Sequence, residues 1–600
     1  MTNSEITEDR LADFSMDKRV VILSAMALVI GVMGAFVAAV LVWLINFITN
    51  LAFYQRFSLG GATPMGHHLG YWVILIPPLG GIIIGLMARY GSEKIRGHGI
   101  PEALEAILIG RSRIEPKVAL LKPISSAISI GTGGPFGAEG PIIMTGGALG
   151  SLFAQFFHLS SAERKTLLVA GAAAGMSAIF STPIAAVLLA VELLLFEWKP
   201  RSFIPVALAA AIAAAVRIPL LGAGPIFPIP PHAALGTQAL LFAGIAGLVG
   251  GLASGVLTTM VYGFEDLFGK LTVHWMWWPL LGGLFIGIGG YIDPRVLGVG
   301  YELIHGLLRG EIIGAAAIGL LIGKSLVWSI ALGSGTSGGV LAPLLMMGGA
   351  LGAIEAHWFP VGDTSFWVLI SMAAVMGGTM RSPFTAMVFA LELTHDLNAL
   401  PELLIGVIMA EIVTVLLLRR SILTEKVARK GHHIFREYSV DPFQLVRVDE
   451  VMDRDVPTIP AEMKLNELGK QITIAGSPLA KHQALPIVSP SGAIVGIITR
   501  GDLLRSMAEF SDPTMTVMEA GTTSLIVAYP DEMLLTAVSR MLQKDIGRLL
   551  VVDRDDPTKL LGYLGRQAII KARLPRINEE HSRETGFAWG AIANALKPGR

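Results

Sequence analysis

Gly137-Ala-Glu-Gly-Pro-Ile-Ile-Met-Thr-Gly-Gly-Ala-Leu-Gly150 returns, 202 residues later, as Gly339-Val-Leu-Ala-Pro-Leu-Leu-Met-Met-Gly-Gly-Ala-Leu-Gly352. A second block follows in the same order: Ser181-Thr-Pro183 to Val191-Glu-Leu193 resembles Arg381-Ser-Pro383 to Leu391-Glu-Leu393 at an offset of 200. Two blocks at nearly one offset mark an internal duplication. Both stretches are apolar and are opened by glycine and proline. Irregular backbone at membrane depth survives only where protein buries it or where it lines a water-filled cavity. Breaks at matching places in two repeats therefore point to a substrate site near the bilayer midplane.

The rest of the chain supports a membrane reading over residues 20–430. Its 600 residues are 53% hydrophobic and 15% charged, against about 45–50% and about 25% for soluble domains. Val20–Phe53 is almost unbroken apolar sequence, longer than the roughly 20 residues that span a bilayer, and predicts a tilted helix. Further apolar runs recur to Leu418, many interrupted by glycine or proline. Arg419-Arg420, Lys426, Arg429-Lys430 and Arg436 then place that exit in the cytoplasm, and with it both termini. The segment 1–19 holds Glu5, Glu8, Asp9 and Asp13, unlike the basic start of a signal peptide. Lys+Arg and Asp+Glu both number 46, so no net field draws nucleic acid. The absence of cysteine excludes disulfides and thiolate metal sites.

Three stretches carry the chemistry: Gly97-His98-Gly99-Ile100-Pro101, Gly137-Ala138-Glu139-Gly140-Pro141 and Gly339-Val340-Leu341-Ala342-Pro343, each opening a short apolar helix. Glycine lets the chain turn and exposes its amides, while proline suits a first helical turn, where its missing N–H would be unpaired. A helix N-terminus carries roughly +0.5 charge and free donors, so several aimed at one point hold an anion without a full positive charge. A site of that kind releases its anion, as conduction requires.

On these residues the membrane half resembles the CLC family of chloride channels and chloride/proton antiporters, over about residues 20–430. The three stretches are similar to its GSGIP, G(K/R)EGP and GxFxP signatures. The resemblance implies an all-α polytopic fold of two inverted-topology repeats with broken helices, assembled as a homodimer in the lipid with one anion pore per subunit. Glu139 falls on the family's gating glutamate, where it would act as gate and proton acceptor. A carboxylate inside a membrane segment is costly and is a functional hypothesis by default.

The chain departs from the family at several of these positions. His98 stands for the usual serine, Ala138 for a basic residue, and Leu341 for phenylalanine. In Ser421–Arg429, which looks like the last pore-lining helix, Leu423 replaces the anion-coordinating tyrosine. Leu193 stands where antiporters carry an inner proton-transfer glutamate, beside Glu192, whose repeat mate is Glu392. His98 has two readings: a ring donor to the anion, or a ring turned aside onto a backbone carbonyl. Glu102 and Glu105 read as structural contacts, and Lys324 as a charge buried against a carboxylate or carbonyls. The pairs His67-His68 and His432-His433 lack accompanying acidic or thiol ligands, and no metal is expected.

From residue 446 the pattern is that of a soluble α/β module. Residues 446–507 and 517–573 resemble a tandem pair of CBS domains, joined by 508–516, preceded by a linker over 431–445 and followed by a tail over 574–600. Gly496-Ile-Ile-Thr499-Arg-Gly-Asp502 matches that family's ribose-phosphate motif, and its counterpart reads Gly565 and Ala568 at the contact positions. The resemblance implies an adenine nucleotide, ATP or AMP, on Thr499 and Asp502, with a purely structural role as the alternative. The membrane half requires no cofactor.

The leading function is chloride or other small-anion transport gated by Glu139 and regulated by the CBS pair, with proton-coupled exchange as the alternative. A CBS-regulated magnesium transporter is more remote, because magnesium needs several hard oxygen ligands and the sequence offers one glutamate among helix starts. No protease, hydrolase or P-loop motif lies in the membrane half, so an enzyme is not expected.

Overall fold

A computed structural model describes residues 19–108, 112–195, 197–430, 446–474, 476–509 and 514–571. The expected N-terminal segment to residue 18, the linker 431–445 with His432-His433, residues 510–513 of the second linker, and the tail 574–600 lie outside these. The chain forms two compact units that divide after residue 438.

The membrane unit opens with α1 (Arg19–Tyr54), α2 (Ile76–Tyr90), α3 (Ile100–Leu108) and α4 (Pro116–Gly131). Then come α5 (Glu139–Gln155), α6 (Ser161–Phe180), α7 (Pro183–Leu189) and α8 (Pro200–Leu221). The second half runs through α9 (Thr237–Gly269), α10 (Trp278–Ile292), α11 (Tyr301–Leu308) and α12 (Ala315–Gly333). It closes with α13 (Leu341–Glu355), α14 (Thr364–Met380), α15 (Pro383–Thr394) and α16 (Leu400–Leu417), and α17 (Ile422–Arg429) follows. Seven helical stretches among the described residues are long and apolar enough to cross a membrane. The 36 residues of α1 rise about 54 Å at about 1.5 Å each, so this helix must tilt in about 30 Å of hydrocarbon.

Packing shows that the duplication covers whole helices. Contacts of α1 with α6 and α8, of α5 with α6, and of α6 with α8 recur as α9 with α14 and α16, α13 with α14, and α14 with α16. Small residues permit the close approach: a Cβ on Gly171 would lie 2.1 Å from the Gly146 carbonyl oxygen, and one on Gly352 would lie 2.2 Å from that of Trp367.

A buried lysine braces each half, and two half-buried glutamates tie the halves to one another. Lys122 Nζ donates to the carbonyls of Ile95 and Gly97 at 2.8 and 2.7 Å, and Lys324 Nζ donates to those of Val296 and Gly298 at 3.0 and 2.8 Å. The acceptors of Lys324 are thus carbonyls, and each lysine holds the loop that opens a short helix, α3 or α11. Glu192 accepts from the amides of Phe384 and Thr385 at the start of α15 (3.2 and 2.8 Å). Glu392 reciprocally accepts from Ile184 and Ala185 at the start of α7 (3.0 and 2.7 Å). Contacts exchanged in this way imply a local two-fold axis between α7 and α15.

The second unit contains two copies of one motif. The first is α18 (Val448–Val451), β1 (Ile459–Pro460), α19 (Leu465–Thr473), β2 (Ala484–Val488), β3 (Ile494–Thr499) and α20 (Arg500–Glu509). The second is α21 (Val517–Ala520), β4 (Val527–Ala528), α22 (Leu534–Gln543), β5 (Arg548–Val552), β6 (Leu560–Gly565) and α23 (Arg566–Lys571). In each sheet the first strand runs parallel to the second, which pairs antiparallel with the third. The opening helices are exchanged: Val448 packs among Ala528, Leu534 and Leu549, and Val517 among Ile459, Leu465 and Ile487. Each copy therefore completes the other's core.

Because Glu392 satisfies two amides that nothing else among the described residues caps, Glu392→Ala should destabilise the membrane unit by about 2–4 kcal/mol. Glu192→Ala should do the same by symmetry. Fluorescence-monitored thermal unfolding in detergent checks this; an unchanged midpoint in both variants would refute the capping role.

Candidate anion site at converging helix starts

The loops that open α3, α5 and α13 meet. Gly339 N donates to the Gly137 carbonyl at 2.8 Å and Gly137 N to the Gly339 carbonyl at 3.3 Å, a two-residue antiparallel bridge between the repeats. Gly338 N reaches the Gly97 carbonyl at 3.4 Å. Gly99 has φ +91°, in the left-handed region, and a Cβ there would lie 2.6 Å from the Gly140 oxygen; a Cβ on Gly140 would lie 1.8 Å from the His98 oxygen. These positions accept no side chain.

Glu139, the first residue of α5, is fully buried at this junction. Its Oε1 accepts a hydrogen bond from the Ala342 amide, in the first turn of α13, at 3.2 Å. Its Oε2 has no hydrogen-bond partner among the described residues and lies against Gly137 and Gly339, where a Cβ would come within 1.8 and 2.5 Å of it. No ion pair to Glu139 forms among the described residues, and the donor bound to its carboxylate is a helix-start amide. Leaving a buried polar atom unsatisfied costs about 1–3 kcal/mol. The carboxylate is thus held weakly, at the point where helix-start positivity also favours a free anion.

His98 is buried and borders a cavity of about 500 Å³, together with Arg96, Glu102, Tyr262, Glu265 and Lys426. Its Nδ1 has no partner among the described residues, so the ring is not bound through that atom to a backbone carbonyl. Glu102 has the structural role expected: its Oε2 accepts from Gly99 N at 2.9 Å and its Oε1 pairs with Lys426 of α17 at 2.6 Å. Glu105 pairs with Lys430 at 2.5 Å. Ile100, Pro101, Ala138, Pro141, Val340, Leu341 and Ala342 are buried around the junction.

Leu423 is fully buried in the first turn of α17. The nearby Tyr262 hydroxyl donates to the Ile422 carbonyl at 2.5 Å. Leu193 is equally buried, in a π-helical turn over Ala190–Leu195, and the adjacent Glu192 serves α15.

Tyr301, not singled out by the sequence reading, opens α11. Its hydroxyl is buried without a partner among the described residues, and Glu139 is the charged group that acts on it electrostatically. A sequence signal exists: Gly298-Val-Gly-Tyr301 matches Gly97-His-Gly-Ile100 at an offset of 201. All four glycines have φ between +63° and +91°.

In the second unit Thr499 and Asp502 meet as a reciprocal cap on α20. The amide and hydroxyl of Thr499 donate to Asp502 Oδ2 at 2.9 and 2.7 Å, and Asp502 N donates to Thr499 Oγ1 at 3.1 Å. Arg505 holds Oδ1 at 2.5 Å. Burial pushes this carboxyl up, but the Thr499 hydrogen bonds and the Arg505 contact outweigh it and hold Asp502 below the usual range. Among the described residues no three or more His, Asp and Glu gather where they could hold a metal.

The family model described as "Voltage gated chloride channel" matches residues 80–415, and the CBS domain model matches 448–509 and 517–575. The "Voltage-gated ClC-type chloride channel ClcB" of Escherichia coli O17:K52:H18 is 28% identical over 422 residues, 67% of this chain and 98% of that relative. A "slow cyanobacterial Cl-/H+ antiporter" shares the fold at TM-score 0.62 and 21% identity, over 69% of this chain and 99% of its own. A "eukaryotic CLC transporter" aligns at TM-score 0.57 and 19% identity, over 92% of this chain and 98% of its own. With more than half its length matched by that model and broken helices meeting at Glu139, the chain is an integral membrane protein that belongs to the voltage gated chloride channel (CLC) family and carries two CBS domains.

Proposed function

We propose that this protein moves chloride or another small monovalent anion across a membrane, with Glu139 as the gate. The observation that carries the reading is the Glu139 carboxylate, buried among helix-start amides with one hydrogen bond and an unsatisfied oxygen. Such a group competes with the anion for the same donors, and its departure frees Ala342 N together with the converging helix starts. His98 and Leu423, in place of two hydroxyl-bearing residues, leave backbone amides and an imidazole to hold the anion. Further parts of the reading are a homodimer with one pathway per subunit, lipid around the exposed apolar faces, and cytoplasmic CBS domains and termini.

Passive transport is the primary form, because Leu193 removes the inner carboxylate and Glu192 is committed to α15. Proton-coupled exchange is the second reading, favoured by the His98 ring, a titratable group between the cavity and Glu139. Reversal potentials in liposomes under separate chloride and pH gradients decide between them. A passive pathway follows chloride alone.

Glu139→Ala should raise passive chloride efflux from liposomes by about tenfold, equivalent to about 1.4 kcal/mol of gating energy. Unchanged efflux in a folded variant would remove Glu139 from the gate.

The CBS pair is proposed to regulate transport by binding an adenine nucleotide at Thr499 and Asp502. Asp502→Asn retains an oxygen for the cap but loses the charge offered to ribose hydroxyls, so ATP or AMP affinity should fall about tenfold by titration calorimetry on the full chain. The depressed folded value keeps this carboxylate ionised at all pH above the ordinary range of about 4, and its contribution is lost only as pH falls through the lower value. The ratio of parent to Asp502→Asn affinity should accordingly be flat from about pH 5 to 8. Undiminished binding in Asp502→Asn, or none in the parent, would leave this motif a helix cap.

A further inference from the structure

Among the buried polar atoms of the membrane unit that lack a partner in the described residues are Glu139 Oε2, the Tyr301 hydroxyl and His305 Nε2. Tyr301 and His305 lie one turn apart on α11, and both rings meet Phe227, at centroid distances of 5.9 and 6.4 Å, so they share a face. Phe180 approaches Tyr301 edge-on at 6.3 Å and 81° and is itself packed edge-on against Phe389 at 5.0 Å. Aromatic packing rather than a hydrogen bond therefore sets the direction of the phenol. That arrangement leaves a donor in reserve.

The position of α11 brings the donor to the gate. This helix packs on α13, whose Ala342 amide holds Glu139 Oε1. Glu139 is the charged group that acts on the phenol. By the 201-residue offset, Tyr301 is the second-repeat counterpart of Ile100, and Lys324 fixes the loop before it as Lys122 fixes the loop before α3. One repeat thus presents His98 to the junction and the other presents Tyr301.

We propose that Tyr301 is the positioning residue that receives the Glu139 side chain when it leaves the Gly137/Gly339 cradle. The hydroxyl donates to the displaced carboxylate, or accepts from it when protonated. In the closed arrangement both the hydroxyl and Oε2 are unsatisfied, and displacement satisfies them together, which compensates for the bond lost at Ala342. The balance between open and closed gate then depends on this one oxygen. The inference rests on Glu139 being the gate.

The test compares chloride efflux from liposomes for the full-length parent, Tyr301→Phe, Glu139→Ala and the double variant. Phenylalanine removes one atom and keeps the ring contacts with Phe180 and Phe227. In the parent background Tyr301→Phe should lower maximal flux about tenfold, corresponding to about 1.4 kcal/mol, while the half-saturating chloride concentration stays unchanged. In the Glu139→Ala background it should change nothing, because no carboxyl remains to be received. An equal loss in both backgrounds, a shifted half-saturation, or no loss in the parent would each overturn the proposal. If Glu139→Ala alone leaves flux at the parent level, the gate reading falls and this inference with it.

Discussion

Gly137 and Gly339 exchange backbone hydrogen bonds, and this small bridge fixes where α5 and α13, from different repeats, begin relative to one another. A Cβ on either glycine would enter the space of the Glu139 carboxylate, so the bridge and the carboxylate occupy one volume. The amides around that volume supply positive potential without a cation. A lysine or arginine there would hold an anion tightly and slow its release, whereas partial charges of about +0.5 per helix start let a carboxylate and a mobile anion exchange places.

Such a site works only if the helix starts stay put, and the repeats arrange this twice over. Lys122 and Lys324 spend their buried charges on carbonyls of the loops before α3 and α11. A buried ammonium is costly, and two short carbonyl contacts replace the water it has lost. Glu192 and Glu392 cap each other's repeat, so α7 and α15 cannot shift independently. The CBS unit uses the same economy of form by exchanging opening helices between copies. In both units the duplicated element is incomplete by itself, and the contact that completes it is reciprocal.

The pairing of repeats was legible because glycine, proline and glutamate recur at one offset, and the three helix starts were legible from their pentapeptides. Contacts made by side chains to backbone were not. The carbonyl acceptors of Lys324 leave no mark in composition, and the sequence could say only that a charge in an apolar run needs partners. The signal for Tyr301 is weak because its stretch, Gly298-Val-Gly-Tyr-Glu302, lacks the proline that marks Gly97-His-Gly-Ile-Pro101 and leaves only two glycines to carry the match at offset 201. The Thr499/Asp502 motif was visible, but its side chains cap α20 in the structure, which is also what Thr and Asp at a strand-to-helix turn do without any ligand.

The departures from the family pattern form one coherent change. Where the family resemblance implies serine, tyrosine and glutamate, this chain carries His98, Leu423 and Leu193, and the two leucines are fully buried. What this chain offers is a single imidazole on the wall of the cavity, and the His98 backbone oxygen lies against Gly140, next to Glu139. The charged groups acting on that ring come from three elements, Glu102 on α3, Lys122 on α4 and Lys426 on α17. Two are cations and one is an anion already bound to Lys426, so their sum at the ring is positive. A proton on His98 would add a full charge to that field and deepen the anion's well. Under the proposed function, an anion and a proton arriving at this ring would each alter the other's occupancy there.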